Sequence, residues 1–157
     1  MNRRLFAAAL AVIAGSASLT ARADDLSYQG FVDSDKRIKC LYGYAASKTG
    51  DHAAALKIFN DCIERWNDVY SMIWMAQMYE SGSGVPRDAG KAAAMIKRAA
   101  EQPDGTAYVS LARYHWGVAL WEGAGVAADP AQARLWLERA AAEGQTEASD
   151  YLRQHAE

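Results

Sequence analysis

The sequence predicts an all-α chain, folded as a short right-handed solenoid of about three helical hairpins and closed by a C-terminal capping helix. Three observations predict it. The stretch GSGVPRDAGKAAAMIKRAAE at 82–101 returns, little changed, as GAGVAADPAQARLWLERAAA at 123–142. Repetition at a fixed period marks units that bury their apolar faces against one another. Within each copy the apolar residues fall at helical spacing, and nowhere does the chain alternate polar and apolar residues as a strand would.

The copies align on Val85 and Val126, so that Gly82 meets Gly123, Gly84 meets Gly125 and Asp88 meets Asp129. Upstream, Met75-Ala76 meet Trp116-Gly117 and Tyr79 meets Leu120. Ala92, Met95, Ile96, Ala99 and Ala100 make one stripe of an α-helix, and Ala133, Trp136, Leu137, Ala140 and Ala141 repeat it. Asp88 and Asp129 stand where an N-cap belongs, and Pro130 suits the first helical position. Before each cap lies G-x-G-V, whose glycines can take positive φ, end one helix and reverse the chain into the next. Each unit therefore reads as helix, glycine loop, helix.

A degenerate copy precedes these two. YGYAASKTGDHAAALKIFNDCIER turns at Thr49-Gly50-Asp51 and then places Ala55, Ile58, Phe59, Cys62 and Ile63 on the same stripe. After the last copy, Thr146 is expected to cap a short closing helix with Ala148, Tyr151 and Leu152 on its apolar side. The organisation expected is a signal peptide over 1–23, an irregular arm over 24–33 and the repeat domain over 34–157.

The first segment carries the export expectation. Arg3 and Arg4, an apolar run from Leu5 to Ala14 and the small-residue trio Ala21-Arg22-Ala23 have the layout of a secretory signal peptide. That run is too short to span a bilayer, which takes about 20 apolar residues. Cleavage after Ala23 removes Arg3, Arg4 and Arg22 from the 17 basic residues, leaving 14 against 19 acidic ones. An acidic product argues against nucleic acid or anionic lipid as partner, and nothing later in the chain suggests stable membrane insertion. A periplasmic or secreted location follows.

Two cysteines, Cys40 and Cys62, lie in the exported part. In an oxidising compartment an even pair reads as a disulfide. Cys62 takes the slot of Ala99 and Ala140, where the two helices of a unit approach closest, and Cys40 lies three residues before Gly43. The two positions are nearly symmetric about the turn at Asp51. Closing this loop is worth about 3 kcal/mol in the loop-entropy model.

The run W-G-x-x-L-x-x-G-x-G-V-x-x-D-x-x-x-A-x-x-W-L-x-x-A-A at Trp116 to Ala141 resembles a Sel-one-like repeat. The copy from Met75 to Ala100 matches it with Met-Ala in place of the usual Leu-Gly pair. The first copy, Tyr42 to Arg65, is closer to a tetratricopeptide unit, with Gly43, Gly50-Asp51, Ala55 and Phe59 in place. Between the second and third copies the spacing exceeds the family's period by about five residues, placed in PDGTAYVS at 103–110. The resemblance implies a solenoid that presents its first helices on a concave face and acts as a protein–protein adaptor rather than an enzyme. Comparable cross-helix disulfides occur in the family. Its small exported members include envelope scaffolds and immunity proteins that neutralise toxic effectors. Some cysteine-rich members have been proposed to bind or hydrolyse β-lactams, which makes an enzyme of that kind the rival reading.

The chemistry-bearing residues favour the adaptor. His52, His115 and His155 lie on different elements with no i, i+4 pair, so no zinc site is expected, and no cofactor is called for. No G-x-S-x-G is present, and no cysteine is left free as a nucleophile. Leu41, Tyr44, Trp74, Gln77, His115 and Val118 recur at equivalent places on successive first helices and are expected to line one continuous groove for a protein partner. Trp121 joins them as a candidate anchor. Trp74 and Trp121 fit the core stripes poorly, so each either anchors a partner or covers the seam between repeats. His115 is either a groove residue or an ordinary boundary histidine.

Overall fold

The computed structural model describes residues 27–155, so the expected signal peptide lies outside the described residues. These residues form eight helices and no strand. Three hairpins follow one another: α2 (Lys39–Thr49) with α3 (His52–Trp66), α4 (Val69–Ser81) with α5 (Ala89–Ala100), and α6 (Val109–Glu122) with α7 (Pro130–Ala142). A one-turn helix, α1 (Gln29–Val32), precedes them and α8 (Thr146–Gln154) follows. The stretch expected to be an irregular arm thus holds a helical turn, and its Tyr28 and Val32 pack on the cluster formed by Cys40, Ile58 and Cys62.

Local chemistry sets the boundaries. Asp88 accepts from the Lys91 amide at 2.9 Å and Asp129 from that of Gln132 at 3.0 Å, while Asp51 and Asp68 cap α3 and α4 in the same way. Each glycine loop is closed by one equivalent backbone bond, Asp88 N–H to Tyr79 O at 2.9 Å and Asp129 N–H to Leu120 O at 2.8 Å. Thr146 is not the cap of α8. The chain reverses so that the Gln145 amide bonds Ala140 O at 3.0 Å, which leaves Gln145 extended at the cap position, its side chain donating to Glu147 and not capping the helix. Thr146 becomes the first helical residue, and its hydroxyl lies 3.1 Å from Glu147.

The second helices supply the core with small residues at the tightest places. Cys62, Ala99 and Ala140 are fully buried, as are Ala55, Phe59 and Leu137. Facing them, Gly43 and Gly117 leave no room for a side chain: a Cβ would come within 2.6 Å of the Phe59 ring and 2.7 Å of Leu137. Ala76 stands at the equivalent place in the middle hairpin. Such close approach buries much area per residue and makes any enlargement costly. Met95 and Trp136, by contrast, are only half-buried at the edge of the stripe.

Successive first helices meet, α2 with α4 and α4 with α6, whereas each second helix meets the first helix of the next hairpin. The first helices therefore line the inner side of the stack. The second glycine of each loop locks this stacking. Gly84 (φ 73°) lies against His52 at the start of α3, and Gly125 (φ 70°) against Ala89 at the start of α5. The extra residues between α5 and α6 are braced by Arg113, which is 1% exposed. Its guanidinium donates to the carbonyls of Ala100 (3.1 Å) and Gln102 (2.9 Å) and pairs with Asp104 (2.7 Å) and Glu143.

Candidate partner-binding cleft

Between the inner helices α4 and α6 lies a cleft of about 430 Å³. Ile73, Trp74 and Gln77 of α4 form one wall and Leu111, His115 and Val118 of α6 the other. Ala76, Ala93, Ile96 and Ala119 make an apolar floor, and Glu80 and Glu122 line it at the ends of the two helices, with Ala124 beyond. The floor follows from the repeat itself, since alanine at the helix-contact positions leaves depth above it. Crowding lowers the pKa of His115, against a smaller opposing influence of Glu147, so the imidazole is neutral at neutral pH.

Four residues expected to bind a partner, Trp74, Gln77, His115 and Val118, come together here. Tyr44 lies behind them, its ring 4.5 Å from that of Trp74, with the Lys48 ammonium 5.6 Å and 4.9 Å from the two ring centres. Trp74 thus both lines the cleft and covers the seam to the first hairpin. Leu41 lies elsewhere, in a second depression with Ile38, Tyr70 and Tyr108. The inner face is therefore not one groove but separate depressions, because Tyr70 stands between them, 6.1 Å from Trp74 and 5.1 Å from Tyr108.

Trp121 does not face the cleft. It packs against α8, 6.1 Å from the Tyr151 ring and 5.4 Å from that of His155. Six residues beyond His115, it has rotated about 240° around α6, well away from the inner side. Tyr108, which the sequence did not single out, lines the second depression and not the cleft. It holds φ 65° at the N-cap position of α6 and is 50% exposed beside Tyr70. Its only signal was its place in the extra segment.

Cys40 and Cys62 are joined by a disulfide with Cα atoms 6.0 Å apart, and both are buried. The bond leaves neither sulfur as a nucleophile. Among the described residues no group of three His, Cys, Asp or Glu side chains is placed to hold a metal ion, and no helix is long and apolar enough to cross a membrane.

A stack of helical hairpins with its cleft on the row of first helices defines a helical-repeat solenoid protein. Residues 69–104 and 110–145 each match the Sel1 repeat, and these stretches are the second and third hairpins with the extra five residues left between them. The fold is similar to the crystal structure of a Sel1 repeat protein from Oxalobacter formigenes, with a TM-score of 0.64 and 25% identity over 83% of this chain and 98% of that one. No curated protein matches the sequence. The second and third hairpins are thus two Sel1 repeats, a repeat that generally mediates protein–protein interactions.

Proposed function

We propose that this chain is an exported, periplasmic binding module that holds a segment of a partner protein in the cleft between α4 and α6. The observation that carries the reading is the meeting of Trp74, Gln77, His115 and Val118 over a floor of small apolar residues. Half-buried aromatics beside polar groups are the composition from which binding hot spots are made. The basic-apolar-small layout of residues 1–23 and the buried disulfide support export. A small, braced protein with one inner cleft suits the capture of one partner. We assign that partner to the toxic effectors or envelope proteins with which exported adaptors and immunity proteins work.

The test is a pull-down from periplasmic extract with the chain beginning at Asp24, run in parallel with Gln77→Ala and His115→Ala. A protein retained by the wild type and lost from both variants supports the reading. Equal retention by all three refutes it. Covalent labelling of the wild-type protein by a fluorescent penicillin would instead revive the β-lactam enzyme.

A further inference from the structure

The charged side chains that line the α4–α6 cleft are both carboxylates, and the nearby Lys48 ammonium lies outside that lining, 4.9 Å from the Trp74 ring centre. Glu80 and Glu122 lie in the last turns of α4 and α6, and neither of those turns carries a basic residue. The other long helices all place a cation there: Lys48 in α2, Arg65 in α3, Lys97 and Arg98 in α5, Arg139 in α7 and Arg153 in α8. The carbonyl end of a helix is partly negative, and a basic side chain in the last turn compensates it. At the two helix ends bordering the cleft that compensation is missing, and a carboxylate adds to the negative potential. Among the described residues no cation comes within 4 Å of either Glu80 or Glu122. Glu122 instead accepts from the Tyr151 hydroxyl at 3.3 Å. His115 adds no positive charge at neutral pH. The other ionisable side chains that line the cleft are thus all anionic, and the rest of its lining is apolar except for Gln77.

We propose that the cleft takes a basic amphipathic segment of its protein partner, an apolar side chain entering between Trp74 and Val118 while a neighbouring lysine or arginine meets Glu80 and Glu122. This rests on the reading of the cleft as the binding site and names what the partner presents to it. The apolar floor provides the attraction for the anchor, and the two carboxylates set the direction in which the segment lies. Exposed carboxylates contribute mainly specificity and association rate, so the affinity falls as salt rises.

A random peptide library displayed on phage and selected against the chain beginning at Asp24 tests this. Enriched peptides should pair a large apolar residue with a lysine or arginine. The strongest, synthesised with a fluorescent label, should lose about fivefold in affinity for Glu80→Gln/Glu122→Gln, as two exposed ion pairs imply. Both substitutions in this double variant keep shape and helix propensity, and circular dichroism melting confirms that the fold is intact. Enriched peptides without cations, or an unchanged affinity for the double Gln variant, overturn the charge assignment. If such peptides still need Gln77 and His115, the cleft remains the binding site. Peptides indifferent to Gln77→Ala and His115→Ala overturn both statements, and a library with no enriched peptide overturns the claim that a linear segment suffices. A wild-type chain that dimerises in sedimentation and becomes monomeric in the double Gln variant would replace the partner with a second copy.

Discussion

Gly125 sits directly against the backbone of Ala89 across the seam between the second and third hairpins, so that a Cβ on Gly125 would fall 2.0 Å from the Ala89 carbonyl oxygen. The equivalent Gly84 meets His52, with a Cβ contact of 2.5 Å. Gly50 also has a positive φ, 89°, but nothing lies within 4 Å of its Cβ direction. Backbone strain alone should make Gly50→Ala cost about 1 kcal/mol. Strain and clash together should make Gly84→Ala and Gly125→Ala cost about 3 kcal/mol. Urea unfolding of the three variants decides this, and equal midpoints would refute the idea that the loop glycines lock the repeats together.

The disulfide joins residues 22 apart in sequence. Removing it as Cys40→Ala/Cys62→Ala should lower stability by about 3 kcal/mol through the freer unfolded chain. Intact mass supplies the direct check. Native protein treated with iodoacetamide should gain no adduct until it is reduced, and two adducts before reduction would count against the bond.

Lys39, 1% exposed, donates to Val32 O at 2.9 Å and pairs with Asp61 at 2.5 Å. The Lys39 ammonium is the main cause that holds the Asp61 carboxyl below its ordinary pKa, against a smaller desolvation effect. A depressed carboxylate contributes stability that is full above the unfolded pKa, about 3.9, and is lost as pH falls through the folded value. At pH 7 Asp61→Asn should therefore be less stable than wild type by about 2 kcal/mol, because a buried ammonium loses its partner. That gap should close as the pH drops below about 4. A difference constant from pH 7 to pH 3 would contradict the assignment.

The second helices were readable because they are amphipathic. One face of α5 and α7 meets the core and the other meets water, so their stripes, their aspartate caps and the slot of Cys62 all stand out in the sequence. The first helices are packed on several sides, and α4 and α6 carry apolar residues around most of their circumference. Their pattern cannot tell the inner side from the seam, and for that reason Trp121 was grouped with His115 although it packs on α8. Long charged side chains were equally opaque. Nothing local distinguishes Arg113 and Lys39, the two large buried cations, from the exposed lysines and arginines, since burial depends on carbonyls and carboxylates brought up by distant segments.

The most direct test of the cleft is calorimetric affinity of His115→Ala for the partner recovered by pull-down, with its melting temperature measured on the same sample. His115 stands on the cleft wall outside the buried core clusters and its main aromatic neighbour is Tyr114, at 5.2 Å, so the substitution should leave the core intact. Loss of about tenfold in affinity with a melting temperature near that of wild type is the predicted result. Unchanged affinity in a normally melting His115→Ala protein would contradict the assignment of this cleft as the binding site.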